Sequence, residues 1–451
     1  MSDSLPISPA SVRNAIAQQP SETVAGNYFV SNYPPFSFWK PERVQDVVEA
    51  MNRPPVKGLP LGIYLHIPFC RKRCHFCYFR VYTDKDSAAI KAYIDAALKE
   101  LSLYSQKPFI GGRNPSFVYF GGGTPSYLSE NQLASLFEGM KRQLSWDSVE
   151  EVTFECEPGT LTDHKLKTLR ELGVTRLSLG VENFSDHILD VNGRAHRSKE
   201  IWRAYEYAKE LGFPQINIDL IAGMVEETEE NWSDCVRKTL QLAPDSVTIY
   251  QMEIPYNTTL YKEMRAAGKL VAPVADWETK RRWVREAFEE LEKAGYTIAS
   301  AYTAVRDKQK TRFIYRDRLW AGADLLALGV ASFGHIGGAH YQNHHDFDPY
   351  IKALSRDELP VYRALTPTDE ERLIREFILQ IKLGSLDVDY FKRKFGRDVL
   401  KIFATPLQTI RDWGFGGSDK NQVFLNREGL LQVDRLLHEF FLPEHRHARY
   451  A

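Results

Sequence analysis

The 451-residue sequence is poor in cysteine, lacks any long apolar run and carries almost no net charge. Five cysteines, an odd number with three of them inside eight residues, argue against a disulfide framework and for a reducing compartment, the cytoplasm. No stretch of about 18 uncharged apolar residues occurs, so no membrane-spanning helix is expected. The polar opening MSDSLPISPASVRNAIAQQP has no apolar core of the kind a secretory leader needs. With 58 basic against 59 acidic side chains, nothing in the overall charge favours nucleic acid or an anionic membrane as partner. Internal repeats and low-complexity tracts do not stand out either.

Aromatic residues are plentiful. Twenty-five Phe, 22 Tyr and 8 Trp supply ample area for burial, which excludes disorder as the main state. The length exceeds what one core normally supports, so one large domain and a smaller one are expected.

Residues 1–60 read as an irregular arm. The segments NYPPFSFWKPE and MNRPPVKGLP carry prolines that stop helices, around one short helix near 41–52. From residue 61 strands and helices alternate. Strands are expected at 61–67, 116–120, 151–156, 176–182, 216–223 and 246–253. Helices follow near 87–104, 130–143, 162–172, 198–211, 228–241 and 275–294, the second opened by Ser129 and Gln132 as a capping box. Segments 296–305 and 323–333 read as further strands. Six strand–helix units imply an α/β fold with a parallel sheet, a partial (β/α)6-type or full TIM-like barrel over 61–365. Its site is expected at the C-terminal ends of the strands. Residues 366–451 read as a small helical, winged-helix-like domain, whose mixed charges suit packing rather than DNA reading.

The strongest chemical signal follows the first strand: Cys70-Arg-Lys-Arg-Cys74-His-Phe-Cys77. Three thiolates on a tight loop can hold three irons of a [4Fe–4S] cluster, leaving one iron open to a bidentate amino and carboxylate ligand. Zinc would need His66 or His75 as fourth ligand, at a spacing that fits no standard zinc pairing. Arg71, Lys72 and Arg73 place positive charge beside the thiolates. Downstream, Gly121-Gly122-Gly123-Thr124-Pro125 ends the second strand and exposes backbone without a Cβ. Glu155, Glu182, Asp219 and Glu253 end successive strands, and Arg194 and His196 follow the fourth. Each alone is as easily a surface salt bridge; together they favour a site. Cys156 and Cys235 read as small core residues, and His340, His344 and His345 as a solvated loop.

The stretch IYLHIPFCRKRCHFCYF resembles the radical S-adenosylmethionine (SAM) superfamily, and within it the oxygen-independent coproporphyrinogen III oxidase (coproporphyrinogen dehydrogenase) group and the related haem chaperones. Matching motifs run in order over roughly 61–437. The resemblance implies that Cys70, Cys74 and Cys77 bind a [4Fe–4S] cluster whose open iron chelates SAM, and that reduction splits SAM to methionine and a 5′-deoxyadenosyl radical. It implies two SAM molecules, with Tyr64 and Phe76 shaping the cluster pocket. Gly122, Gly123 and Thr124 would meet the SAM amino group, Glu155 the ribose, and Arg194 a carboxylate. Glu182, where the family more often has Gln, lies near the second SAM, Asp219 near ribose or amino groups, and Glu253, Phe333 and His335 line the site. A flavodoxin or ferredoxin is the implied electron donor.

Two positions depart from the relatives. Phe79 stands where the oxidases carry a fourth cysteine, and Tyr315-Arg-Asp-Arg-Leu-Trp320 replaces the HNxxYW haem motif of the chaperones. Three activities follow as expectations: oxidation and decarboxylation of a tetrapyrrole, radical methylation or cyclopropanation of an unsaturated or aromatic small molecule with two SAM molecules, or haem carriage.

Overall fold

The computed structural model describes residues 29–268, 273–446 and 448; positions 1–28 of the expected arm lie outside them. The strands are β1 (Leu61–Ile67), β2 (Phe117–Gly122), β3 (Glu151–Cys156), β4 (Arg176–Glu182), β5 (Gln215–Ala222), β6 (Ser246–Gln251), β7 (Thr297–Ile298), β8 (Thr303–Val305), β9 (Asp324–Leu328), β10 (Phe333–Ile336), β11 (Ala339–Asn343), β12 (Val361–Leu365), β13 (Ser385–Asp387), β14 (Gly416–Ser418) and β15 (Gln422–Leu425). The first twelve form one sheet in the order β12-β11-β10-β9-β1-β2-β3-β4-β5-β6-β8-β7. From β9 through β6 every neighbour is parallel. Antiparallel pairs extend both edges. The order does not close on itself, so the architecture is the partial form of barrel.

Alternation within the strands explains how the sheet makes both a core and a site. On β4, Leu177, Leu179 and Val181 are buried in the main core, while Ser178, Gly180 and Glu182 line an interior cavity. On β5, Ile216, Ile218 and Leu220 face the core, and Asn217, Asp219 and Ile221 the cavity. A two-residue period sends one set to the outer helices and the other inward. The outer layer begins as the sequence suggests. Asp86 caps the helix Ser87–Ser105 through the Ala89 N–H, and Ser129 and Gln132 form the reciprocal box that opens Glu130–Gln143.

Two segments differ from the expectation. Residues 296–305 are a hairpin rather than one strand, because the Ser300 hydroxyl accepts from the Tyr302 and Thr303 N–H groups and turns the chain. Residues 323–333 break after Leu328: Gly329 takes φ +94°, and a Cβ there would lie 2.3 Å from the Tyr93 hydroxyl. The chain then reverses into β10, antiparallel to β9.

A second hydrophobic core lies in residues 373–441, around Phe377, Phe391, Phe403 and Phe440. Helices there surround an antiparallel sheet in the order β13-β15-β14. The stretch 29–60 ties the two cores together. Val30 and Tyr33 belong to the second, whereas Val47 and Met51 of the helix Val44–Met51 belong to the first. Lys40 pairs with Ala364 on the edge strand β12.

Candidate active site

The cysteine loop leaves β1 and returns where Tyr82 bridges back: Cys70 N–H donates to the Tyr82 carbonyl at 3.0 Å, and Tyr82 N–H to that of Pro68 at 2.7 Å. Within it, Cys77 N–H donates to the Cys74 carbonyl at 3.2 Å, and His75 N–H to Asn192 at 3.0 Å. All three cysteines line the interior cavity, which holds about 430 Å³. Thr124 Oγ1 donates to the Cys70 sulfur at 3.3 Å, and Arg194 Nη1 to the Cys74 sulfur at 3.4 Å. Burial pushes the Cys70 thiol up to about 11 and that of Cys77 up to about 12. Among the described residues no three His, Cys, Asp or Glu side chains gather as a single ion would require. Three thiols, two of them with side-chain donors aimed at sulfur, fit an iron–sulfur cluster, which spreads its ligands over several metals.

The glycines serve close approach. Gly122 has φ +112°, and a Cβ on it would sit 2.4 Å from the His66 ring; one on Gly123 would meet the Ile67 carbonyl at 2.8 Å. Only glycine allows the backbone this position. Gly122 N–H donates to Glu155 Oε2 at 3.0 Å, and Tyr119 donates its hydroxyl to Oε1 at 2.6 Å.

Of the remaining acids expected at strand ends, Glu182 does end β4, but Asp219 lies in the middle of β5, and Glu253 follows the end of β6. Glu182, in the left-handed region at φ +62°, faces Arg194, whose Nη2 lies 3.5 Å from Oε1 and 2.5 Å from the Gly180 carbonyl. Asp219 accepts from Ser178 Oγ at 2.7 Å and Asn217 Nδ2 at 2.9 Å. Burial pushes Glu155 and Glu182 up to about 7, with Asp219 adding like-charge repulsion to both. Phe76 also lines the cavity.

Glu253 is on the cavity wall, and one carboxylate oxygen is taken by the chain itself: Oε1 accepts from the Phe29 N–H at 2.7 Å. Val30 N–H donates to Asp434 Oδ1 at 2.9 Å, and its carbonyl accepts from Lys382 Nζ at 2.7 Å. Lys382, fully buried, pairs with Asp434 at 2.8 Å and stands 4.1 Å over the Phe29 ring. Phe29 and Asp434 thereby join the cavity wall, as do Tyr119, Arg176, Tyr250, Tyr302 and Phe313. None of these carries a local motif; distant parts of the chain bring them here.

Three expected residues stand elsewhere. Tyr64 lies outside the lining, its hydroxyl 3.1 Å from His66 Nδ1 and its ring stacked on Tyr119. Phe333, on the reversed strand β10, packs against Phe36 and Trp39 rather than the cavity. His335 is buried beside His340, with the two Nδ1 atoms 3.0 Å apart. His340 is therefore no loop residue: it is fully buried on β11, and its Nε2 meets the Tyr33 carbonyl. Cys156 and Cys235 are buried, as core residues should be.

Residues 64–239 match the model of the radical SAM superfamily. The heme chaperone HemW of Bacillus subtilis is 28% identical over 370 residues, covering 82% of this chain and 96% of the relative. An oxygen-independent coproporphyrinogen III oxidase of Salmonella typhimurium is 26% identical over 362 residues, covering 78% of each. The solved coproporphyrinogen III oxidase (HemN) from Escherichia coli shares the fold at a TM-score of 0.79, over 91% of this chain and 96% of that one, with 23% identity. The cysteine loop, the glycine turn, Glu155, Glu182 and Asp219 fall within the matched span, and Glu253 lies beyond it. Residues 64–239 form a radical SAM domain, which implies a [4Fe–4S] cluster and SAM as cofactors, and the chain as a whole resembles the oxygen-independent coproporphyrinogen III oxidases and the heme chaperone HemW.

Proposed function

We propose that this enzyme oxidises and decarboxylates a tetrapyrrole of the coproporphyrinogen class. The observation that carries the reading is a single cavity walled by three thiols, the carboxylates of Glu155, Glu182, Asp219 and Glu253 on or just after β3 to β6, and a set of aromatic rings. The names of the curated relatives support the substrate class.

The cluster and SAM, when bound, would supply radical chemistry, with SAM as the two-electron oxidant that becomes methionine and 5′-deoxyadenosine while a substrate propionate loses carbon dioxide and becomes a vinyl group. Cys70, Cys74 and Cys77 hold the cluster, and Thr124 and Arg194 stabilise the sulfurs they already touch. The backbone at Gly122 and Gly123, with Thr124, receives the SAM amino group, Glu155 its ribose, and Arg194 its carboxylate. Phe76 shapes the pocket beside the cysteines, while Phe29, Tyr250 and Tyr302 exclude water. Exposed Arg71 and Lys72 at the cysteine loop offer a docking patch for an acidic flavodoxin or ferredoxin. The five unpaired cysteines fit a cytoplasmic enzyme.

A second reading, radical methylation with two SAM molecules, has its own support. Glu182 and Asp219 form a pair of acids on β4 and β5, apart from the Gly122–Glu155 contact and suited to a second sulfonium cofactor. Anaerobic incubation of reconstituted enzyme with SAM, dithionite and coproporphyrinogen III separates the readings by mass spectrometry. Oxidative decarboxylation gives methionine, 5′-deoxyadenosine and a tetrapyrrole shortened by carbon dioxide. Methyl transfer gives S-adenosylhomocysteine or methylthioadenosine as well. A Soret band on haem addition, without deoxyadenosine, marks a haem carrier and overturns both.

A further inference from the structure

Arg176 opens β4 at the opposite end from Glu182, six residues and about 20 Å along the strand. It is 2% exposed, and among the described residues it is the one fully buried cation on the cavity wall. Its Nη1 donates to Gln215 Oε1 and Ser246 Oγ, both at 3.2 Å, and the guanidinium stands 4.5 Å over the Phe313 ring. The other edge has no such partners. Nε is buried without an acceptor, and among the described residues none is found for Nη2.

Nearby acceptors are already engaged. Asn217 Oδ1 takes the Ser246 and Thr248 hydroxyls, Asp219 takes Ser178 and Asn217, and Glu151 takes Thr153 with the Ile314 and Tyr315 N–H groups. Arg71 and Arg194, in contrast, have Glu157 and Glu182 within 3.5 Å. Glu151 and Asp219 attract the guanidinium from a distance, but among the described residues no carboxylate forms an ion pair with it. A guanidinium stays charged even when buried, and its unfilled edge is costly. The Nε–Nη2 edge is a planar fork matching the two oxygens of a carboxylate.

We propose that Arg176 anchors a carboxylate of the substrate on the barrel floor, with Phe313 beneath the guanidinium. The assignment deepens the proposed function, resting on its reading of this cavity as the substrate chamber. Arg194 already supplies a cation at the cysteine end, so the floor cation serves a different group from the SAM carboxylate.

The test compares reconstituted wild type with Arg176→Gln and Arg176→Lys, using coproporphyrin III and its tetra-amide as probes read by Soret shift. A thermal-shift arm uses benzoate and benzamide. Wild type should prefer coproporphyrin III over the tetra-amide by about tenfold, and benzoate alone of the small pair should stabilise it. Arg176→Gln should lose both preferences, and Arg176→Lys, with charge but no fork, should keep part of each. If coproporphyrin III fails to bind but benzoate still separates wild type from Arg176→Gln, the anion site stands and the tetrapyrrole reading falls. Should Arg176→Gln not fold, undiminished preferences in Arg176→Lys overturn the proposal. Equal preferences in wild type and Arg176→Gln, whatever the loss of stability, assign Arg176 to the scaffold and overturn it too.

Discussion

The backbone N–H of Phe29 donates to the carboxylate of Glu253 at 2.7 Å, joining positions 224 residues apart. With Val30 held by Asp434 and Lys382, this contact straps the chain before β1 across the cavity wall. Burial pushes Glu253 up to about 8, and a neutral carboxyl accepts the bond as Gln would. Glu253→Ala is expected to cost about 1–3 kcal/mol and to speed hydrogen exchange at the Phe29 and Val30 amides, whereas Glu253→Gln keeps both close to wild type. Unchanged exchange in Glu253→Ala contradicts the strap.

This relationship shows where the sequence stops being legible. The strand–helix alternation was readable because its apolar periods are local, and the cysteine and glycine motifs because each sits at one strand end. Phe29, Lys382 and Asp434 carry no local signal; they meet only when the second core docks on the first. Glu253 was readable as a site position, but its bond to the Phe29 backbone was not. Phe333 was misread because the reversal after Gly329 turns β10 toward Phe36 and Trp39.

Gly122→Ala should combine left-handed strain with a collision against the His66 ring. A destabilisation of about 1–3 kcal/mol is expected in denaturant melts, together with weaker SAM binding by equilibrium dialysis. Wild-type values for both would mean the turn has room it is not seen to have.

Arg194 holds Glu182, the Gly180 carbonyl and the Cys74 sulfur at once. Arg194→Met leaves a buried acid unpaired and is expected to cost about 3–5 kcal/mol. Adding Glu182→Gln should restore part of that loss. A single variant within about 1 kcal/mol of wild type, measured by urea unfolding, removes the pair from the account.

Glu100 is fully buried on the outer side of the sheet, accepting from Asn343 Nδ2, Gly329 N–H and the Tyr350 hydroxyl. Burial pushes it up to about 8, against about 4.3 in an unfolded chain. The native state therefore binds the extra proton between these values. Its stabilising contribution is complete below about pH 4 and disappears as pH rises through about 8. Whatever its offset, the stability difference between Glu100→Gln and wild type should move in the variant's favour by up to ~1.4 kcal/mol per pH unit between about pH 5 and 8. A difference independent of pH contradicts the burial argument.

The central claim is that Cys70, Cys74 and Cys77 bind an iron–sulfur cluster that reduces SAM. The direct measurement is 5′-deoxyadenosine released when anaerobically reconstituted protein meets SAM and dithionite. Wild type should release it together with methionine, and Cys74→Ala should bind less iron and release none. Wild type carrying its full iron and sulfide yet leaving SAM uncleaved would contradict the account.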